Sequence, residues 1–305
     1  MTVPARPTPL FADIADVSRR LAETGYLPDT ATATRVVRLY RRRIPPGGGF
    51  FPAAGREKPL LVEGPAGVGK TELARAVAQA TGSGLVRLQC YEGVDEARAL
   101  YEWNHAKQIL RIQAGSGDWE ATKTDVFSEE FLLQRPLLTA IRRTEPTVLL
   151  IDETDKADIE IEGLLLEVLS DFAVTVPELG TLTATRAPFV LLTSNATREL
   201  SEALKRRCLY LHIDFPTPEL ERRILLSRVP ELPEHFAEEL VRIIGVLRGM
   251  QLKKVPSIAE TIDWGRTVLA LGLDTIDDAV VAATLGVVLK HQSDQQRATG
   301  ELRLN

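Results

Sequence analysis

Gly64-Pro65-Ala66-Gly67-Val68-Gly69-Lys70-Thr71 fits the pattern G-x-x-x-x-G-K-[ST] without a mismatch. The apolar run Pro59-Leu60-Leu61-Val62 leads in and reads as a buried strand, and the Ala-rich stretch Glu72-Leu73-Ala74-Arg75-Ala76-Val77-Ala78-Gln79-Ala80 leads out and reads as a helix. This context suits a triphosphate. Backbone N–H groups must converge on its charges, and glycines at 64, 67 and 69 let the chain turn with no Cβ in the way. The helix N-terminus adds its positive end. Lys70 is then expected on the β- and γ-phosphates and the Thr71 hydroxyl on magnesium. A Gly-rich turn matching by accident is the competing reading, and the flanking strand and helix count against it.

Farther along, Thr147-Val148-Leu149-Leu150-Ile151 is a β-branched apolar run that ends in Asp152-Glu153. An unpaired buried carboxylate is costly, so two acids at a strand tip usually meet a cation or water. This pair looks like a Walker B element: Asp152 holds magnesium through its shell, and Glu153 orients or deprotonates the attacking water. A solvated acidic turn is the other reading, since Asp155 and Asp158 follow closely. Pro188-Phe189-Val190-Leu191-Leu192-Thr193-Ser194-Asn195 reads as a further buried strand whose polar end, Asn195, suits positioning of that water beside Glu153. After a short helix come Leu204-Lys205-Arg206-Arg207-Cys208 and the strand Leu209-Tyr210-Leu211-His212-Ile213. Arg207, with Arg206 in reserve, can project from the edge of the domain into a neighbouring subunit's nucleotide, and such fingers contribute roughly 10³ to 10⁵ in rate.

The order of these parts resembles the AAA+ ATPases, and within them the MoxR group and its CoxD-like branch. The resemblance runs from about residue 20 to about 290 and extends to Phe131-Leu132-Leu133-Gln134-Arg135-Pro136-Leu137-Leu138 and Glu167-Val168-Leu169-Ser170-Asp171-Phe172. It implies ATP hydrolysis with Mg2+ in a homo-hexameric ring, remodelling or maturing a partner metalloenzyme together with a von Willebrand factor A domain protein. It also places Tyr26 and Leu27 near the adenine; a packed helix junction is the alternative for that pair. One position departs from the pattern. Many relatives carry an arginine after a Ser-Pro pair at the start of a lid helix, whereas Ser257-Ile258-Ala259-Glu260 places Ala259 there. Arg266 lies on the same helix face about 10 Å along the axis, either as a substitute nucleotide contact or as a solvated arginine.

Strands alternating with helices argue an α/β fold: a P-loop core with a parallel sheet flanked by helices, followed by a C-terminal all-α lid. The expected organisation is an N-terminal helical extension over 1–30, a nucleotide-binding core over 31–216, a lid over 217–290 and a flexible tail over 291–305. Helices are expected at 12–24 and 31–43, with Gly25-Tyr26-Leu27-Pro28-Asp29 between them and a loop at 44–58 after them. The core carries an insert at about 91–127 and a hairpin at about 174–186 around Glu178-Leu179-Gly180. Within and after the insert, 94–113 reads as one helix, Gly115-Ser116-Gly117-Asp118 with Trp119 as a mobile loop, and 128–143 as a helix kinked at Pro136. The helix 159–172 follows Asp152. Lid helices are expected at 218–228, 234–248, 257–271 and 275–290, with lid and core clasping the nucleotide.

Composition bounds the rest. At 305 residues with 44% hydrophobic content the chain can bury two sizeable cores. No apolar stretch approaches the roughly 18 residues of a membrane span, and residues 1–11 lack an apolar signal region, so a cytoplasmic protein is expected. Cys90 and Cys208 match no metal or redox spacing and read as buried thiols, and the four histidines form no ligand pair. A net charge of -5 argues against nucleic acid, and Arg41-Arg42-Arg43 and Arg142-Arg143 read as helix-end cations. A nucleic-acid motor or clamp-loader-like ATPase shares the ATP chemistry but should add a basic pore or DNA-binding domain. Thr122-Lys123-Thr124-Asp125 fits a guanine-binding pattern with no strand before it, a small-molecule kinase does not need Asn195 and Arg207 in this order, and intact Lys70, Asp152 and Glu153 count against a pseudo-ATPase.

Overall fold

The computed structural model describes residues 11–41, 58–114, 125–273 and 275–302. Arg42-Arg43, nearly all of the 44–58 loop, the 115–118 loop with Trp119 and the Thr122-Lys123-Thr124 pattern lie outside the described residues. The chain divides into two compact units. The described residues of Met1–Thr24, Pro28–Glu63 and Thr71–His212 make the first; Gly25–Leu27, Gly64–Lys70 and those of Ile213–Asn305 make the second.

In the first unit, helices α1 (Ile14–Glu23) and α2 (Thr30–Arg41) pack on each other, and α2 reaches the sheet. The sheet strands are β1 (Leu60–Glu63), β2 (Gly84–Gln89), β5 (Thr147–Asp152), β8 (Phe189–Ser194) and β9 (Leu209–His212). They form one five-stranded sheet in the order β2-β5-β8-β1-β9, with every pairing parallel. All six residues of β5 and of β8 are buried, as strands covered on both faces must be, which explains their unbroken apolar sequences. Edge strand β2 alternates instead, with Val86 and Leu88 inward and Arg87 on the exposed face. Leu61, Leu149, Ile151, Val190 and Leu192 belong to one buried cluster, each contributing about 1.5–3 kcal/mol of apolar burial.

Parallel pairing brings the carboxyl ends of β2, β5 and β8 to one sheet edge, the place where open α/β sheets bind ligands. The register sets Gln89 beside Asp152. Helix α3 (Lys70–Thr81) follows the glycine-rich loop.

The insert differs from the expected single helix over 94–113. It contains a short α4 (Glu96–Ala99), strand β3 (Tyr101–Trp103) and α5 (His105–Ala114), and β3 pairs antiparallel with β4 (Leu132–Gln134). Two aromatics in three residues favour a strand once a partner is in reach, and that partner lies about thirty residues on, beyond any local periodicity. The expected kinked helix over 128–143 is likewise replaced. A 3-10 turn (Glu129–Phe131) and β4 precede α6 (Pro136–Arg142), with Pro136 in its first turn. There the missing N–H is harmless and the fixed φ suits a helix start, so Pro136 begins the helix rather than bending one. Helix α7 (Ile159–Asp171) is capped by Asp158, whose carboxylate accepts from Ile161 N–H at 3.0 Å. It leads to the hairpin of β6 (Ala173–Val176) and β7 (Gly180–Thr183), and α8 (Glu202–Arg207) precedes β9.

The second unit is helical: α9 (Pro218–Arg228), α10 (Glu234–Gly249), α11 (Ile258–Ala270), α12 (Asp278–Val288) and α13 (Gln292–Glu301). Trp264 is fully buried among Leu225, Leu240 and Val268, and its indole N–H donates to Thr284 Oγ1 at 2.8 Å. Glu221 is buried as well, gripped by both Arg248 nitrogens and by Thr261 Oγ1 at 2.7 Å. The expected flexible tail is corrected over 292–301. Its helix buries Ala298, and buried Asp294 accepts from the Lys253 and Lys254 N–H groups at 3.1 and 3.2 Å. The polar sequence hid this, because the buried contacts are a carboxylate and a single alanine.

Candidate functional site

The glycine-rich loop takes conformations that require its glycines. Gly64, Gly67 and Gly69 have φ of 155°, 75° and 97°. A Cβ on Gly64 would lie 1.9 Å from the Ile213 carbonyl oxygen, and one on Gly67 would lie 2.3 Å from Ser257 Oγ. Tyr26 Cε2 comes within 3.6 Å of where a Gly69 Cβ would sit, so the aromatic ring reaches this loop, while half-buried Leu27 follows it. Val68 is buried beneath the turn. The Lys70 side chain is buried, and its ammonium donates to the Gly64 and Pro65 carbonyls at 2.6 Å each. A cation folded onto carbonyls at the mouth of an N–H-rich turn is a fitting counterpart for a polyanion.

In the first unit, Thr71 and the strand tip meet. Thr71 Oγ1 donates to Asp152 Oδ1 at 2.9 Å, and buried Thr193 Oγ1 donates to the same oxygen at 2.5 Å. Arg87 donates to Asp152 Oδ2 through Nε at 3.0 Å and Nη2 at 2.6 Å. A carboxylate beside a threonine hydroxyl is a donor set that fits magnesium, which binds through one or two carboxylates and keeps waters and phosphates as its other ligands. Among the described residues no group of three or more His, Cys, Asp or Glu is placed so that it could hold a metal ion by itself.

Glu153 sits in the left-handed region at φ 55° and ψ 47°, uncommon for a side-chain-bearing residue. Its N–H donates to Thr193 Oγ1 at 2.8 Å, which holds the turn. Its carboxylate accepts from Gln89 Nε2 at 3.0 Å and pairs with Lys156 Nζ at 2.7 Å. Asn195 follows β8, and its backbone N–H donates to buried Asp155 at 3.1 Å. Thr197 donates to the same carboxylate through its N–H at 3.0 Å and its hydroxyl at 2.5 Å. Burial pushes the Asp155 pKa up, but these hydrogen bonds outweigh it and hold the group below the ordinary aspartate value. Beside the acids lies Cys90, whose thiol is pushed up to about 12 by burial and by the charges of Asp152, Asp155 and Glu153.

Sequence reasoning missed Arg87, Gln89, Thr193 and Asp155. A signal existed for the first two: in an edge strand, polar residues at alternate positions share a face, and the end of β2 lies beside the end of β5. Thr193 was the one hydroxyl-bearing residue before Ser194 in an apolar strand.

The remaining predicted residues have partners of their own. Arg207 donates to the Leu166 carbonyl and to Ser170 Oγ, both on α7 of its own core. Arg206 points outward with its side chain 82% exposed, in a loose 3.9 Å pairing with Glu202. In the helical unit Arg266 is exposed and pairs with Asp263 at 3.4 Å, one turn away on its own helix, as a solvated arginine does. Ala259 is exposed, and capping residue Ser257 is the part of α11 that approaches Gly67.

Residues 59–208 match the AAA domain family, dynein-related subfamily. Chaperone protein ClpB 1 of Synechocystis is 27% identical over 237 residues, covering 73% of this chain and 23% of that protein. Protein NorQ of Paracoccus denitrificans is 24% identical over 209 residues, covering 66% of this chain and 69% of NorQ. The chain thus spans less than a quarter of the length of that ClpB relative. Among solved structures, Thermotoga maritima RuvB is similar with a TM-score of 0.44 and 16% identity, over 82% of this chain and 63% of RuvB. The family match, the parallel sheet, the phosphate-type loop and the acids at the tip of β5 together give residues 59–208 the P-loop AAA+ fold.

Proposed function

We propose that this protein binds ATP with magnesium at the 64–71 loop, hydrolyses it with Glu153, and uses the cycle to remodel or mature a partner protein. The observation that carries the reading is the 2.9 Å contact between Thr71 Oγ1 and Asp152 Oδ1, with Glu153 next in the chain. Thr71 and Asp152 would hold magnesium, which would supply positive charge to the phosphate oxygens. Lys70 exchanges its loop carbonyls for phosphate oxygens, and the loop N–H groups and the start of α3 hold the rest. Glu153 takes a proton from the attacking water once it leaves Gln89 and Lys156, and Asn195 orients that water. Tyr26 and Leu27 flank the base.

Assembly into a homo-hexameric ring supplies an arginine to the neighbouring site. Arg206 suits that role better than Arg207, whose guanidinium is already engaged on α7. The NorQ match supports the MoxR reading, and the ClpB match supports a chaperone-like role. The CoxD-like branch, a von Willebrand factor A domain partner, a client metalloenzyme and a cytoplasmic location complete the proposal. No helix among the described residues is long and apolar enough to cross a membrane. Glu153→Gln is expected to keep ATP binding and abolish turnover; retained hydrolysis rejects the assigned base. The same variant under ATP is a trap whose captured protein identifies the client.

A further inference from the structure

The carboxylate of Asp152 is shared between two kinds of donor. Oδ1 takes the hydroxyls of Thr71 and Thr193, while Oδ2 takes the Arg87 guanidinium through two nitrogens. Asp152 is 3% exposed and Arg87 43% exposed, so the acid is fixed in the protein and the arginine can turn out into water. A buried carboxylate needs hydrogen-bond donors or a counter-charge, and one that must also accept a metal is best served by a partner that can be displaced. Arg87 satisfies both conditions. The same guanidinium donates to Gln89 Oε1, and the Gln89 amide donates to Glu153 at 3.0 Å, so whatever moves Arg87 is felt at the other acid too.

We propose that Arg87 is a built-in counter-charge that neutralises Asp152 when no magnesium is bound and turns aside when the metal arrives. It thereby sets how strongly ATP binding depends on magnesium. This rests on the ATP reading above. Without Arg87, a bare Asp152 carboxylate faces the phosphates in metal-free solution and repels them. With magnesium present, that carboxylate is compensated whether or not the arginine is there. Arg87 is therefore a positioning residue, and its signature is a ratio of affinities rather than a rate.

The test is binding of a fluorescent ATP analogue to the full chain, followed by anisotropy, in EDTA and in excess magnesium. For Arg87→Gln the EDTA-to-magnesium ratio of Kd values should rise on the order of tenfold over wild type, through weaker binding in EDTA alone. Arg87→Lys, which keeps the charge, should stay within about twofold of wild type. An unchanged ratio in Arg87→Gln overturns the proposal, because a merely structural arginine would shift both affinities together. Wild type tests it as well: the analogue must bind measurably in EDTA, and its complete loss there overturns the proposal even if Arg87→Gln does not fold. Failure of wild type to bind under either condition instead overturns the ATP reading itself.

Discussion

Asp152 and Glu153 are neighbours in sequence with different tasks, because the chain reverses between them. Asp152 is the last residue of β5 and points to Thr71; Glu153 is left-handed and points to Gln89 and Lys156. Thr193 bridges the two by donating to one and accepting from the other, so Thr193→Val should loosen both. A drop in turnover with ATP affinity falling in parallel would check this, and unchanged kinetics would refute it. Asp155, two residues on, ties the segment after β5 to the Asn195 and Thr197 backbone after β8. Its folded pKa lies below the unfolded value of 3.8, so its contribution is complete above that value and is lost as pH falls through the folded pKa. Asp155→Asn is accordingly expected to lower stability near neutral pH and to flatten the loss of stability below about pH 4, as measured by urea unfolding across pH. Gly67→Ala meets both a left-handed backbone and the Ser257 side chain, at a cost of about 1–3 kcal/mol, with weakened ATP binding in a direct titration.

Individual elements make separate predictions. Because Pro136 opens α6, Pro136→Ala should change stability by under about 1 kcal/mol, whereas a proline bending a helix interior would release roughly 3 kcal/mol of strain on replacement. Thermal unfolding distinguishes these. Asp294→Ala removes the acceptor of the Lys253 and Lys254 N–H groups and should cost about 0.5–1.5 kcal/mol, read as a fall in Tm. An unaffected Tm would mean that α13 adds nothing to the helical unit. Both thiols are deep in the first unit, and burial pushes Cys208, like Cys90, up to about 12. Neither should react with a maleimide near neutral pH until the protein unfolds.

At the scale of the whole molecule, the proposal needs more than one copy of the chain. Arg206→Ala is expected to leave ATP binding intact while lowering turnover only at protein concentrations where wild type assembles. Turnover equal to wild type at every concentration would remove the finger from Arg206. Arg207→Ala should mainly weaken the attachment of α8 to α7. What the amino-acid sequence determined by itself was everything carried by local pattern: the glycine-rich loop, the buried runs of β5 and β8 with acids at the tip of β5, the hairpin, and the helical periods of the C-terminal part. Each of these follows from neighbours a few residues apart. Tertiary structure decided the rest, because the partners are distant in the chain. β3 needed β4, Pro136 needed the strand before it to become a helix start, Asp294 needed the 253–254 backbone, and Arg87 became part of the site only when β2 and β5 lay side by side.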